Sequence, residues 1–461
     1  MTEYDPDLNE PFDDAYALET GLVDRLLTAV EAGDRVQLLE LLDEVHAADI
    51  ADFIEQIGSA DRRAFLALWG DDIDGEVLSE LSDGVREEVI DELPGHVLAG
   101  AVRSLETDDV VDLIEYLEEP QQELVLDALE DADRVAVEQA LTYPEYTAGR
   151  LMQRELVMAP PHWNVGQVID YLRAEKDLPD MFYDVMIVDP RMRPVGSVPL
   201  GRLMASKRDV PLNSIMEDDF RTIPVLQSEE DVAYAFNQYH MVSAPVVDAD
   251  GRLVGVITID DAMAVLGESA DEDIKRLAGV GDETLADRIS TTTMARFPWL
   301  AVNLLTTILA SLVIAQFVGT IKAILPLAVL MPIVASIGGN AGTQTMAVSV
   351  RAIAMNQLTE TNTWRIVWRE IRVAMLNGAT VAALVGLATA VVFSPMLGLV
   401  IAAATIINVF TAGLAGVLVP VMFDRLDQDP AVASSVFVTM ITDSMGFFAF
   451  LGLAVASGLV G

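Results

Sequence analysis

The spacing of apolar residues divides the chain into three stretches. Residues 20–142 repeat leucine-rich helical patterns between short acidic turns, without a competing strand-like alternation. Residues 150–268 carry short apolar runs typical of buried strands, alternating with helical stretches. From Phe297 onward the apolar segments approach the ~20 residues that a membrane helix needs. The pattern predicts a multidomain protein with an all-α N domain, an α/β domain and a polytopic α-helical membrane domain.

Two internal repeats refine the prediction for the soluble part. DIADFIE at residues 49–55 resembles DVVDLIE at residues 109–115, which favours stacked helix pairs and a small superhelix. VMIVD at 185–189, followed by RPVGSV at 193–198, parallels APVVD at 244–248, followed by RLVGVI at 252–257. The offset of 59 residues between these two halves predicts a tandem α/β module.

We predict five membrane helices, at about 297–318, 321–337, 371–393, 396–423 and 431–459. Residues 341–356 are interpreted as continuing the second helix after a glycine-rich break. With a cytoplasmic N-terminus, all but one of the basic residues of the membrane part fall on the cytoplasmic side, and this bias predicts an external C-terminus. On the cytoplasmic side we place Arg296, Arg351, Arg365, Arg369, Arg372 and Arg425, and on the outer side Lys322.

The charge is concentrated in the soluble part. Of 72 acidic residues 66 precede Thr291, and of 28 basic residues 21 do, so this part carries −45 and the remainder +1. Such acidity argues against a nucleic-acid partner and is compatible with cation binding; a salt-adapted surface is the alternative. The chain lacks cysteine, which excludes disulfides and thiolate metal sites. Its acidic N-terminus is unlike a signal peptide, so the acidic half is expected in the cytoplasm.

Asp443 is the only acidic residue from Ala431 to the C-terminus, in the middle of the last apolar segment. A carboxylate at membrane depth costs several kcal/mol unless it faces water, a cation or a partner, so it predicts an ion pathway. The alternative is a carboxylate that is protonated or hydrogen-bonded to neighbours such as Thr442 or Ser444. Four other polar residues of the apolar segments are expected to bond between helices. They are Asn303, Gln316, Asn377 and Asn408.

A second unusual segment, GGNAGTQ at residues 338–344, ends another apolar stretch. Gly338 and Gly339 allow the backbone to bend and to approach an ion closely. Asn340 and Gln344 supply amide oxygens that can contact the water shell of an ion. Close packing of helices through small residues is the alternative. Together with Asp443, the segment favours a cation pathway.

With these residues in place, the chain resembles the MgtE family of magnesium channels and transporters along essentially its full length. The tandem α/β repeat resembles a pair of CBS domains. YPE at 143–145 followed by AGRLM at 148–152 is similar to the family's junction between its N domain and that pair. GGNAGTQ followed by Arg351 is similar to its pore-helix signature, and Asp443 lies where the family places a pore aspartate.

The resemblance implies a homodimer in the bilayer of the cell (inner) membrane, with a pore on the twofold axis. Asp443 of each subunit would hold a hydrated Mg²⁺, with Asn340 nearby. A few carboxylates contacting the ion through retained waters suit Mg²⁺, and oxygen ligands without Cys or His favour it over Zn²⁺. The implied function is Mg²⁺ influx rather than enzymatic catalysis. A proton- or sodium-coupled carrier of Mg²⁺ or Co²⁺ stays an alternative, as does a sensor that does not transport.

The resemblance also implies gating by intracellular Mg²⁺ bound between acidic surfaces. The positions that match the family's acidic sensor are Glu230, Asp261, Glu272, Asp273 and Asp429. Ala264 departs from the pattern, because the family often has an acid there. Glu268 to Gly279 resembles the helix that plugs the cytoplasmic mouth of the pore.

Many CBS pairs bind adenosine nucleotides, so ATP is a further expected ligand. Thr258 and Asp261 match a Thr-x-x-Asp ribose-binding pattern, whereas the first repeat has Pro199 to Arg202 there, without the acid. The predicted domains are an acidic tail (1–19), the helical N domain (20–149), the CBS pair (150–267), a connecting helix and linker (268–295) and the pore domain (296–461).

Overall fold

A computed structural model describes residues 18–459 apart from 19, 116, 118, 176–177, 180, 281–288, 356, 359–360 and 427. The predicted acidic tail therefore lies outside the described residues except for Leu18, and so does the middle of the predicted linker. The chain divides after Gly267 into two compact units. The domain boundaries given above stay predictions.

The first unit begins with short helices stacked on one another, and their apolar faces form one continuous core. They are α1 (Thr20–Ala32), α2 (Arg35–Leu42), α3 (Ala47–Gln56), α4 (Ser59–Trp69), α5 (Gly75–Ser79), α6 (Asp83–Glu92), α7 (Gly95–Ala101), α8 (Thr107–Glu115), α9 (Glu119–Ala128) and α10 (Asp131–Ala140). The two similar heptapeptides lie in α3 and α8. Phe53 and Ile54 of α3 are buried, as are Leu113 and Ile114 at the matching positions of α8. The predicted all-α domain is confirmed.

Buried arginines join successive helices of this stack. Arg62 of α4 donates through Nε to the carbonyl of Ile54 at 3.0 Å and forms an ion pair with Glu88 of α6. Arg86 of α6 donates to the carbonyl of Leu81 and pairs with Asp112 of α8. Arg62 and Arg86 are 24 residues apart, and so are their partners Glu88 and Asp112. The same helix-to-helix ion pair therefore occurs twice along the superhelix.

The α/β part contains two copies of one three-stranded sheet. The strands are β1 (Met158–Ala159), β2 (Asp184–Val188) and β3 (Pro194–Pro199), then β4 (Ile223–Pro224), β5 (Ser243–Val247) and β6 (Leu253–Thr258). In each copy the first strand pairs parallel with the second and the second pairs antiparallel with the third. The helices around the sheets are α11 (Ala148–Leu151), α12 (Val165–Ala174), α13 (Leu200–Ala205), α14 (Glu229–Tyr239) and α15 (Ile259–Leu277).

The 59-residue repeat is confirmed by the strand register. Asp184 pairs with Pro199 in the first sheet, and Ser243 pairs with Thr258 in the second, each 59 residues later. The hydroxyl of Ser243 donates to Oδ2 of Asp184 at 2.7 Å. Equivalent positions of the two repeats therefore bond directly to each other across the module.

The second unit contains the apolar helices. They are α16 (Ile289–Gln316), the short α17 (Val318–Ala323), α18 (Pro326–Ala354), α19 (Thr363–Val392), α20 (Pro395–Asp424) and α21 (Pro430–Ala456). Within the described residues, five of these are long and apolar enough to cross a membrane, as predicted. The central helix is α20, which packs against α18, α19 and α21.

The predicted glycine-rich break is wrong. α18 runs without interruption from Pro326 to Ala354, through Pro332 and the whole GGNAGTQ segment. Backbone polar groups at membrane depth have no water to bond to, so this environment favours an unbroken helix more strongly than glycine disfavours it. The third span also begins at Thr363 rather than at residue 371.

Candidate functional site

Close contacts place Asn340 and Asp443 at the same depth. A Cβ added to Gly342 of α18 would lie 2.7 Å from Cγ1 of Val438 and 3.3 Å from Cγ2 of Thr442, both on α21. At the other end, Gly338 of α18 and Gly446 of α21 both pack against the side chain of one residue of α20. The two helices therefore run antiparallel, so residues earlier in α18 lie level with residues later in α21. Asn340 and Asp443 lie between these two contacts.

The two side chains differ in exposure. Asn340 is exposed on the surface of α18, and Asp443 is half-buried on α21. The Thr442 hydroxyl donates to the carbonyl of Thr439 at 3.0 Å, which uses its one proton within the helix. Thr442 therefore does not donate this proton to Asp443, whereas a bond to Ser444 and a protonated carboxyl stay as alternatives.

Gln344 lies one turn of α18 beyond Asn340. It lines a cavity of about 290 Å³ between α18 and α19, together with Glu370 and Asn377. Glu370 is 7% exposed and pairs with Nη1 of Arg369 at 2.7 Å. Glu370 was missed from the sequence because the third span was predicted to start one residue after it. The periodic apolar positions from Trp364 onward were the available signal.

Acidic residues from the N domain and the CBS pair form a cluster around Asp261 of α15, which we call the α8–α15 cluster. Its members are Glu106, Asp108, Asp109, Glu155, Asp260 and Asp261. Glu106 accepts from Nε2 of Gln153 at 2.8 Å, and Glu155 accepts from the Thr107 hydroxyl at 2.6 Å. These bonds join the start of α8 to the segment before β1. Of this cluster the sequence predicted Asp261 alone.

Burial and mutual repulsion disfavour ionisation in the α8–α15 cluster. Burial, with the charge of Asp261 nearby, raises the pKa of Asp108 well above its usual range. Burial is also the main cause that raises the pKa of Glu106 to about 7, that of Asp109 to about 7 and that of Asp261 to about 6. When these carboxyls ionise near neutral pH they repel one another, and bound protons or cations can relieve that repulsion.

Three other predicted sensor residues come together in the second unit. Arg276 of α15 pairs with Glu272 at 2.8 Å and with Asp429 at 2.9 Å. Asp429 also caps α21 by accepting from the backbone N–H of Ala431 at 2.7 Å. Burial, and then the charge of Asp429, raises the pKa of the adjacent Asp273. We call Glu272, Asp273, Arg276 and Asp429 the α15–α21 cluster.

Glu230 joins neither cluster and lies exposed in the first turn of α14. Across the described part of the chain, no three His, Asp or Glu side chains converge closely enough to hold a metal ion directly. Among these residues the two clusters therefore do not form a closed cage of carboxylate and histidine ligands. The metal sites predicted from the sequence stay predictions.

The Thr-x-x-Asp pattern caps α15. Oδ2 of Asp261 accepts from the Thr258 hydroxyl at 2.6 Å and from its backbone N–H at 3.3 Å, as in a capping box. The cavity beside Thr258 measures about 20 Å³. A larger cleft of about 950 Å³ lies between the two repeats, where Pro199 occupies the position equivalent to Thr258.

Comparison with known proteins identifies the family. The profile of the divalent cation transporter MgtE matches residues 331–453, that of the MgtE intracellular N domain matches 45–146, and a CBS domain matches 212–268. The magnesium transporter MgtE of Thermus thermophilus is 30% identical, over 75% of this chain and 78% of its own. That of Enterococcus faecalis is also 30% identical, over 69% and 70%. The chain belongs to the MgtE family.

A solved cytosolic domain of the Mg²⁺ channel MgtE, in complex with ATP, is 30% identical and covers 53% of this chain and 99% of its own, with a TM-score of 0.49. Membership of the MgtE family makes this chain a multi-pass membrane protein of magnesium transport and not an enzyme. The N domain, the CBS pair and the five spans expected from the resemblance are confirmed.

The raised pKa values predict that the soluble unit loses stability as pH rises. A carboxyl whose pKa is higher in the folded state than in the unfolded state holds a proton that the unfolded chain releases. The stabilising contribution of this proton to the free energy of unfolding is therefore lost as pH rises through the folded-state pKa values of about 6–7. Without divalent cations, we expect the unfolding temperature, followed by tryptophan fluorescence, to fall by on the order of 5 °C between about pH 5.5 and about pH 8.

Asp108→Asn should flatten this pH dependence, because it removes the most buried carboxyl of the α8–α15 cluster. Asp209→Asn is the matched control, since Asp209 is exposed. A wild-type unfolding temperature that does not change over this pH range would contradict the stored repulsion.

Proposed function

We propose that this chain forms a Mg²⁺ channel in which Asp443 and Asn340 contact the hydrated ion. The observation that carries the proposal is their common depth on α18 and α21, between the Gly342 and Gly338 contacts. Mg²⁺ gives up its waters reluctantly and is usually bound by one or two carboxylates with water retained. A half-buried carboxylate at the same depth as an exposed amide suits such an ion.

We propose that a second copy of the chain completes the pathway. Asn340 is exposed, so the single chain leaves one side of the ion site open. Two Asp443 carboxylates facing each other across a twofold axis would repel, and a divalent cation between them would relieve that repulsion. The ends of α18 and α19 that carry Arg351 and Arg365 would face the cytoplasm of the cell, together with the soluble unit.

Asp443→Asn should reduce Mg²⁺ flux into liposomes at least about tenfold, because the variant keeps the size of the side chain and loses its charge. Asp424→Asn is the control, since Asp424 is exposed at the end of α20. Size-exclusion profiles and reconstituted amounts of both variants should match the wild type. Wild-type flux in Asp443→Asn would remove this residue from the pathway.

The same liposomes separate a channel from a coupled carrier. A channel responds to the Mg²⁺ gradient and the membrane potential alone. Flux that depends on an imposed pH or sodium gradient would instead establish the proton- or sodium-coupled alternative, in which Asp443 carries the coupling ion.

We propose that intracellular Mg²⁺ closes the channel by binding at the two acidic clusters. In the α8–α15 cluster, Asp108 is surrounded by acidic neighbours, so a cation there would stabilise the contact between the N domain and the CBS pair. In the α15–α21 cluster, Asp273 and Asp429 lie at the start of the helix that carries Asp443. Without Mg²⁺, repulsion would loosen both contacts.

Deleting residues 1–290 should leave a pore that millimolar internal Mg²⁺ no longer inhibits, because both clusters lose their α15 carboxylates. Flux into liposomes with varied internal Mg²⁺ measures this, with the full-length protein as reference. Inhibition that is unchanged in the truncated protein would place the sensor within the membrane unit.

We also propose that the CBS pair binds an adenine nucleotide in the larger cleft between the repeats. Its volume of about 950 Å³ suits a nucleotide, and the Arg221 guanidinium, which lies 3.6 Å over the Tyr239 ring in this cleft, is a group that phosphate prefers. Glu217 and Asp219 line the same cleft, so the magnesium complex of ATP is the expected form.

Arg221→Ala should weaken MgATP binding about tenfold in calorimetry, because it removes the cation of the cleft. Thr258→Val tests the site predicted from the sequence, and we expect little change. If Thr258→Val abolishes MgATP binding and Arg221→Ala preserves it, the nucleotide site lies at Thr258 and Asp261 instead.

A further inference from the structure

Asn408 of α20 is fully buried, at 0% exposure, between the two helices of the proposed ion pathway. Its Nδ2 donates to the carbonyl of Val334 on α18 at 2.9 Å, which confirms the predicted bond between helices. A Cβ added to Gly338 of α18 would lie 2.0 Å from this nitrogen. One added to Gly446 of α21 would lie 2.6 Å from it. The Asn408 amide thus occupies the space that the missing side chains of Gly338 and Gly446 leave between the helices.

This contact lies beside the polar residues of the pathway. Gly338 is two residues from Asn340 on α18, and Gly446 is three residues from Asp443 on α21. At the other end, Gly342 brings the two helices into direct contact. Asn408 is therefore the spacer at one end of the segment in which Asn340 of α18 and Asp443 of α21 lie at the same depth.

Packing alone does not explain a polar side chain at this position. Oδ1 of Asn408 and Oγ1 of Thr405, one turn earlier on α20, are buried and accept or donate no hydrogen bond among the described residues. A partly satisfied polar group in an apolar interior is less favourable than an apolar side chain of the same shape. Where such a group is best understood, a single buried asparagine fixes the register of two helices.

We propose that Asn408 is a positioning residue of the pathway: it fixes the distance and register between α18 and α21, and thereby which hydrated cation Asn340 and Asp443 accept. This rests on the proposed pathway. A hydrated Mg²⁺ is held through its waters, so selectivity depends on the spacing of the groups around it. Loosening that spacing admits ions that lose water more readily, such as Co²⁺.

The experiment measures Mg²⁺ and Co²⁺ flux into liposomes holding the full-length protein. Asn408→Leu keeps the branched outline of the side chain and removes its hydrogen-bond donor and acceptor. We expect its half-saturating Mg²⁺ concentration and its Co²⁺ to Mg²⁺ flux ratio to rise about threefold or more, with maximal Mg²⁺ flux within about twofold of wild type. Asn408→Ala, which leaves a hole rather than a bulky group, should shift both quantities in the same direction.

A double-mutant cycle tests the contact itself. Gly338→Ala alone should lower maximal flux about tenfold or more, because its Cβ overlaps the Asn408 amide. In the Asn408→Ala background the same substitution should have little effect, because the amide is gone. Gly452→Ala is the control on α21, where an added Cβ meets nothing within 4 Å, and it should behave as wild type.

Wild-type half-saturation and flux ratio in both Asn408→Leu and Asn408→Ala would overturn the positioning role. So would an equal effect of Gly338→Ala in both backgrounds. Asp443→Asn, measured in the same liposomes, reports on the pathway separately. Lost flux in Asp443→Asn with unaltered Asn408 variants overturns only the positioning role, whereas wild-type flux in Asp443→Asn overturns the pathway and the positioning role with it.

Discussion

A carboxylate that leaves water must have its charge balanced by a proton, a cation or hydrogen-bond donors, and this constraint organises the molecule. Glu370 has Arg369 beside it, and Asp429 has Arg276. Asp108, by contrast, is surrounded by other acids. A mobile divalent cation can act where a fixed basic side chain is missing. Pairing with a basic side chain thus distinguishes Glu370 and Asp429 from Asp108, whose charged neighbours are acids.

The membrane unit meets a second constraint, which is close approach of helices without a hydrophobic driving force between them. α20 solves it with glycines and one amide. Gly413 and Gly416 bring it against α19 and α18, and Asn408 bonds to α18. In lipid, such contacts supply the attraction that apolar burial supplies in water. The central helix α20 therefore sets the spacing of the helices packed around it.

The sequence was sufficient for the architecture because each part has its own period. The helical repeat of α3 and α8, the 59-residue offset of the two sheets and the five apolar spans were all predictable. The glycine break was predicted wrongly, because local helix propensity is weaker than the need to bond every backbone group in a membrane. Glu370 was missed because the third span was predicted to begin at residue 371, whereas the helix begins at Thr363.

The composition of the candidate sites was harder to predict than the fold. Asp261 was found by resemblance, but its neighbours Asp108 and Glu106 come from a different domain, and no local pattern links them. Arg276 was missed for the same reason, since its partner Asp429 is 153 residues away. Asn340 and Gln344 were predicted as one group, but of the two only Gln344 lines the cavity shared with α19.

The hydrogen bond from Ser243 to Asp184 has a consequence for the history of the CBS module. Two repeats that arose by duplication would begin with two equal clefts, but a bond between equivalent residues has a donor on one side and an acceptor on the other. The two repeats therefore differ at this pair of equivalent positions. The two cavities that Asp184 and Ser243 both line are unequal as well, at about 950 Å³ and about 20 Å³, so the duplicated sheets enclose an asymmetric module.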